Sequence, residues 1–414
     1  MAVSSQTWRF ERGEVHAWAA WTVADVREAV EAALERHAAI LPQDRAARVL
    51  IKPNLNNDLV ALVGNSADLR LLDALLSGLR ARGYTDLTVA DGSNVGVDRR
   101  DIDAFRRLRV DRLAQRHGAG LLDLNRSDGV PISLHAGARP HVAHAVMDAD
   151  FLISVPKIKT HAEAGLSCAM KNWVGICTGQ DKREMHRDLG ANIFALNEAV
   201  KPDLILVDGL VGMEGNGPGD GQPIRVGRIL SGTDAFLNDL VVARMVGLPW
   251  TRVPYLVHAM EAGVLTPAMA DAVERAVPLV QRYEAAPRRS RLAELSEARS
   301  LRWLKLAVRP LVERPAVAQA AYRLRVIQDV YDRTDDTARL VGRDADACGD
   351  CRRCEDFCPT GLPLEQIGRA TELPDCVQCL YCWWVCPNDA LKLEGELNHL
   401  ERQVRRYKEA VEHL

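Results

Sequence analysis

Eight of the ten cysteines fall between Cys348 and Cys386, and their spacing constrains that end of the chain more than any other feature does. Cys348, Cys351, Cys354 and Cys358 stand in CGDCRRCEDFCP, and Cys376, Cys379, Cys382 and Cys386 in CVQCLYCWWVCP. Each run is C-x2-C-x2-C-x3-C-P, and the second repeats the first 28 residues later. Two-residue gaps let one tight loop aim three thiolates at a single inorganic core. The proline after the fourth cysteine, Pro359 or Pro387, turns the chain away. Zinc prefers four ligands per ion from paired C-x2-C hooks. It does not explain two complete runs with C-x3-C-P endings.

The spacing is that of the bacterial ferredoxin run, in which the fourth cysteine serves the other cluster. It predicts two 4Fe-4S clusters with crossed ligation. Cys348, Cys351, Cys354 and Cys386 would hold one, and Cys376, Cys379, Cys382 and Cys358 the other. Phe357, Tyr381, Trp383 and Trp384 sit among these ligands. They would form the core and docking surface of a small module, or shield a cluster from water. Cys168 and Cys177 lack metal spacing and read as ordinary buried thiols.

The chain has 414 residues, 47% hydrophobic and 26% charged. It can bury a sizeable core in two or three domains without disulfides. Lys+Arg number 53 against 56 Asp+Glu, a net charge of -3, which argues against a general grip on nucleic acid. The opening MAVSSQTWRFERGEV has no apolar stretch after a basic start, so no secretory signal is expected. No apolar run reaches about 18 residues, so no transmembrane segment is expected. A dense cysteine cluster in such a chain reads as a metal site, and a cytoplasmic location is expected.

Residues 1–254 alternate short apolar stretches with helical patterns. Val49–Lys52, Leu87–Asp91, Phe151–Val155 and Leu204–Asp208 read as strands buried on both faces. Ala67–Gly83 carries leucines at helical spacing. The alternation predicts an α/β layered domain with a largely parallel sheet. Three of the strands end in polar residues, KPN at 52–54, DGSN at 91–94 and DG at 208–209. Ligands of open α/β sheets bind outside the carboxyl ends of strands. DGSN reads as a simple turn or as such a site.

Residues 255–343 read as a helical segment, 344–395 as the ferredoxin-like module and 396–414 as a C-terminal helix. Arg288–Arg325 holds ten Lys/Arg and three Asp/Glu, a balance of +7, whereas residues 344–398 hold four and eleven, a balance of -7. The basic helices are expected to dock on the acidic module. RSLRWLKLAVRPLVERP also suits a basic amphipathic helix resting on a membrane surface.

The densest polar constellation is SVPKIKTHAEAGLSCAMKNWVGI. If the strand continues through VPKIKTH, then Lys157, Lys159 and His161 share one face. Three potential cations there suit a carboxylate or phosphate. The competing reading is a solvated basic edge, against which stand the apolar flanks. Lys171 and Asn172 follow on a short helix, and Arg183 and His186 lie in QDKREMHRD. Lys52, Asn54, Lys157, Lys171, Asn172 and Arg183 are the substrate-binding candidates, and Lys159, His161 and His186 the catalytic ones. The glycine-rich Gly209–Gly221 has neither the Gly-Lys-Ser/Thr of a P-loop nor a dinucleotide fingerprint. It reads as a mobile surface loop, or as a lid or anion cradle with Asp208 and Glu214 nearby.

VLIKPNL, SVPKIKTHAEAGLSCAMKNWVGICTGQDKREMH and DLILVDGLVGMEGNGPGDG together resemble the family called domain of unknown function 362. The resemblance covers roughly residues 45–250 plus the cysteine module. It implies an iron–sulfur protein with an α/β domain, an oxidoreductase. The α/β part is also distantly similar to the lactate racemases that use a nickel-pincer nucleotide. No equivalent of their cofactor-attaching lysine is evident, so that activity does not carry over.

These readings predict an iron–sulfur oxidoreductase that reduces an anionic small organic substrate. An external one-electron donor of ferredoxin or flavodoxin type would charge the clusters. Lys157, Lys159 and Lys171 would hold the substrate's charge, and His161 or His186 would deliver protons. The rival is an electron-transfer or assembly protein with no reaction of its own. A third reading is a non-redox enzyme whose clusters only staple the C-terminus.

Overall fold

The computed structural model describes residues 3–287, 331–349, 351–369 and 375–414. Arg288–Arg325, and with it both readings of RSLRWLKLAVRPLVERP, lies outside the described residues.

The fold is α/β. The strands are β1 (Ser5–Phe10), β2 (Gly13–Ala19), β3 (Val49–Pro53), β4 (Leu87–Asp91), β5 (Gly120–Asp123), β6 (Gly129–Pro131), β7 (His141–Ala143), β8 (Phe151–Val155), β9 (Lys157–His161), β10 (Gly165–Ser167), β11 (Leu204–Glu214) and β12 (Gln222–Gly232). Ten of them form one sheet, ordered β1-β2-β12-β11-β8-β3-β4-β5, with β9 on β11 and β10 on β9. Five strands, β11-β8-β3-β4-β5, are mutually parallel. β12, β2 and β1 extend the sheet antiparallel.

Alternate residues of each central strand feed opposite cores, as the two-residue strand period requires. Val49, Ile51 and Ile153 join α1 (Val23–Arg36) and α2 (Leu69–Ala81) on one face. Leu50, Leu152 and Ile205 join the helices Leu189–Ala199 and Ala235–Met245 on the other. Burial on both faces is why these strands read as continuous apolar runs. A capping box between Thr22 and Asp25 starts α1, and the Asp68 carboxylate caps α2.

Three sequence expectations need correction. The strand FLISV does not run on through VPKIKTH. It stops at Pro156, which lacks a ladder N–H, and β9 restarts beside the far half of β11. The first half of the glycine-rich stretch is strand: β11 continues to Glu214, and the rest, residues 215–221, is the turn before β12. Within the segment read as helical, Pro254–Glu261 and Pro267–Ala276 are helices, but Arg339–Arg343 is a strand, β13. It pairs antiparallel with β14 (Leu391–Glu394) and so joins the cysteine-bearing part.

That part docks on the α1/α2 face. Phe357, Tyr381 and Trp384 share its core with α1 and α2. Trp21 meets Phe357 edge-on at 5.4 Å between ring centroids. The C-terminal helix His399–Glu412 inserts Gln403, which accepts from Val60 N–H at 3.0 Å and donates to Asp58 O at 2.9 Å. No helix among the described residues is long and apolar enough to cross a membrane.

Candidate functional site

The carboxyl ends of β3 and β4 open into a cavity of about 100 Å³. Lys52, Lys159, Lys171, Lys182, His161 and His186 line it, and Asp91 is the one carboxylate in its lining. Asn172 fixes the polar wall. Its Oδ1 accepts from Lys52 Nζ at 3.0 Å and Asn54 Nδ2 at 2.9 Å, and its Nδ2 donates to Ser154 Oγ at 3.1 Å. Lys52 is paired with Asp91 at 2.5 Å, and both are buried. Asp91 also accepts from Leu55 N–H at 2.6 Å, which fastens the end of β4 to the chain leaving β3. A side chain at Gly175 would meet Asp91 Oδ1 at 2.6 Å and Lys52 Nζ at 2.7 Å. Any side chain there would force the Asp91–Lys52 pair to shift.

Among the described residues, Lys159 has no carboxylate partner. Its Nζ donates to Asn54 Oδ1 at 2.8 Å and Asn65 O at 2.7 Å. Burial holds this amine well below the usual lysine range, and Lys171 and Lys157 add to the effect. Burial likewise pushes Lys171 and Lys182 down to about 8. His161 Nδ1 accepts from the backbone N–H groups of Glu163 and Ala164, both at 3.1 Å. The ring is therefore the Nε2–H tautomer, and burial followed by Lys171 holds it neutral. His186 lies at the rim, half exposed, with Nδ1 2.8 Å from Glu163 Oε2.

Of the residues proposed from sequence, the cavity collects Lys52, Asn54, Lys159, His161, Lys171, Asn172 and His186. It does not collect Lys157 or Arg183. Lys157 Nζ donates to Asp208 Oδ2 at 2.9 Å, both groups fully buried. Arg183 gives way to its neighbour because Gly179–Arg187 is a 3₁₀ helix that buries Lys182 and Met185, three apart. Lys182 donates to Ser93 O at 3.2 Å and to Asn125 Oδ1. Sequence reasoning passed over Lys182 and Pro218, and named Asp91 only within DGSN, as part of a turn or a strand-end site. DGSN at a strand end was the available signal for Asp91. Pro218, in the turn after β11, also borders the cavity and accepts through its carbonyl from Asn65 Nδ2.

The second constellation is the cysteine part. Cys358, Cys376, Cys379 and Cys382 border one cavity of about 30 Å³, whose other walls include Leu340, Leu362, Ile367 and Val377. Four thiols in an apolar enclosure, one from the first run and three from the second, fit the donor set of a cubane. Burial pushes the Cys354 thiol up to about 12, and Cys348, Cys386 and Cys351 are among the neighbours that raise it further. Leu362 N–H donates to Cys358 Sγ and Arg343 Nη1 to Cys348 Sγ, each at 3.3 Å. Such contacts tune thiolate ligands. Among the described residues, no three His, Cys, Asp or Glu side chains converge as a single-ion site requires. Cys168 and Cys177 are buried and free, as expected.

A buried ion chain runs from β9 toward the cysteine part. Asp208 Oδ2 accepts from Lys157 and also from Asp68 N–H at 2.7 Å. Asp68 pairs with Arg70 at 2.7 Å, both fully buried. The Arg70 guanidinium lies 4.4 Å from the Phe357 ring centroid. Leu69 N–H donates to the Tyr381 hydroxyl at 3.3 Å.

Residues 49–244 match the family model described as Domain of unknown function (DUF362). One curated relative is the thylakoid-associated protein sll1697 of Synechocystis sp. It is 33% identical over 132 residues, 30% of this chain, and the match covers 41% of that relative's length. Among solved structures, the lactate racemase apoprotein of Thermoanaerobacterium thermosaccharolyticum superposes with a TM-score of 0.37 and 13% identity, over 57% of this chain and 62% of that one. A likeness that loose has no bearing on the chemistry.

Proposed function

We propose that the protein is an iron–sulfur reductase that binds a small anionic substrate in the cavity at the ends of β3 and β4. The excess of cationic groups over Asp91 in this cavity carries the reading. Buried cations without counter-charge are costly, and a bound anion offsets that cost. Lys171, for which no ion pair is found among the described residues, and Lys182 would hold the anion. The Nε2–H of His161 would orient it as a hydrogen-bond donor. His161 Nδ1 is already occupied by two backbone N–H groups, so proton delivery falls to the rim pair His186–Glu163, which reaches solvent.

The two cysteine sets would hold two 4Fe-4S clusters, with the crossed assignment supported by the cavity that gathers Cys358 with Cys376, Cys379 and Cys382. Such clusters supply electrons one at a time. A one-electron donor of ferredoxin or flavodoxin type and a cytoplasmic setting complete the proposal.

The test is reoxidation. Chemically reduced protein is mixed anaerobically with small carboxylate and oxyanion acceptors and followed by visible absorbance. At least one acceptor should reoxidise the wild type. Lys171→Met should slow this at least tenfold with iron content unchanged. Equal rates in both proteins would leave the rival reading, an electron carrier or assembly protein without its own reaction.

A further inference from the structure

Lys159 is 1% exposed and forms part of the cavity wall. Its Nζ makes two hydrogen bonds, both to acceptors, Asn54 Oδ1 and Asn65 O. A neutral amine has two N–H bonds and one lone pair, so these contacts satisfy it. An ammonium would carry a third proton, for which no acceptor is found among the described residues, in an enclosure that already holds Lys52 and Lys171. Burial and the neighbouring Lys171, Lys157 and Lys52 lower this amine's basicity, and Asp91 opposes them. A lysine desolvated beside other cations is the usual form of an amine nucleophile.

We propose that Lys159 forms an imine with the carbonyl carbon of a small anionic aldehyde or 2-oxo acid. The amine lone pair attacks the carbonyl carbon and a C–N bond forms. The carbonyl oxygen leaves as water with the two amine protons, and no oxidant or reductant is consumed. Lys171 and Lys182 hold the substrate carboxylate. The cavity of about 100 Å³ has room for a few heavy atoms and not for a nucleotide. The anionic substrate class rests on the proposed reading of the pocket, whereas the imine rests on the contacts of Lys159.

The experiment is reductive trapping. The anaerobic full-length protein is incubated at pH 7 with glyoxylate and cyanoborohydride, then digested and mapped by mass spectrometry. Lys159 should carry the adduct. It should react on the order of a hundredfold faster than exposed Lys201, since an ordinary lysine is neutral to less than about one part in a thousand at that pH. Lys159→Met should abolish the adduct on its peptide, and Lys171→Met should slow labelling of Lys159 at least tenfold. An unlabelled Lys159 in wild-type protein whose melting temperature still rises with glyoxylate overturns the imine and leaves the anion pocket standing. Equal labelling by acetaldehyde and glyoxylate overturns the anionic substrate class, and the pocket reading with it.

Discussion

Changing Lys157 to Met tests the buried ion chain between the sheet and the cysteine part. Methionine keeps most of the apolar stem and removes the charge. Asp208 would then lie fully buried beside Asp68, with Arg70 as the remaining cation of the chain. Removing one partner of a buried pair costs about 3–5 kcal/mol. Unfolding entropy runs at about 2.1 cal/mol/K per residue, so residues 3–287 contribute roughly 0.6 kcal/mol/K. The melting temperature should therefore fall by roughly 5–8 °C. The assay is anaerobic thermal melting by circular dichroism at pH 7, with iron content measured alongside. Adding Asp208→Asn removes the orphaned charge while an amide oxygen still accepts from Asp68 or Leu210 N–H. The double variant should regain at least about 1 kcal/mol over Lys157→Met alone. A single-variant loss below about 1 kcal/mol, or single costs that simply add in the double, would refute the claim that this pair is desolvated and coupled.

Anaerobically purified protein should contain about eight irons and eight acid-labile sulfides per chain, and stoichiometric zinc with little iron would end the redox reading. Cys386→Ser should perturb the electron paramagnetic resonance signal of the cluster assigned to Cys348, Cys351 and Cys354; loss confined to the other cluster would contradict the crossed ligation. Asp239 is buried, and burial raises its carboxyl to about 7. Unfolded, it ionises near the ordinary aspartate value, so between about pH 4 and 7 the native state keeps a proton that the unfolded chain has lost. The stability this provides is present below about pH 4 and is lost as pH rises through about 7, by at most about 1.4 kcal/mol per unit. Asp239→Asn should flatten that part of the urea-midpoint profile, and an unchanged slope would contradict the assignment. Gly175→Ala should lower stability by about 1–3 kcal/mol, because its Cβ would sit between Asp91 and Lys52; a neutral effect on melting would show that the wall yields.

The legible parts of the sequence were those where a single local rule sufficed. Leu87–Asp91 and Phe151–Val155 are strands with the expected bounds because both are short, mostly apolar and buried on both faces, with Thr88 and Ser154 as their internal polar residues. Seven pocket residues were named because strand ends and a lysine-rich stretch announce them. What failed depended on neighbours that a linear reading does not see. Lys157 and Lys159 are both buried, yet one meets Asp208 and the other meets two neutral acceptors. That difference is set by which strand lies beside β9, a consequence of the break at Pro156. The edge strands β1 and β2, and the extension of β11 past the glycines at 209 and 212, carry weak local signals. β12 pairs with both β2 and β11, and β1 is held by β2.

The segment from Asn54 to Leu69 touches both candidate sites. Asn54 and the Asn65 carbonyl hold Lys159 in the cavity. Three residues after Asn65, Asp68 N–H rests on Asp208, and Leu69 N–H rests on Tyr381, between Cys379 and Cys382. Two loop acceptors and two helix-entry donors thus come from one stretch of backbone, clamped at both ends by buried groups. Asn54 N–H is tied to Val155 O at 3.0 Å and Ala67 N–H to Asn54 O at 2.8 Å, so the stretch closes on itself. A displacement of Asn65 toward a ligand would strain the same short closure that positions Leu69. The lysine-lined cavity and the second cysteine set are thus linked through one stretch of backbone rather than through a long side-chain relay.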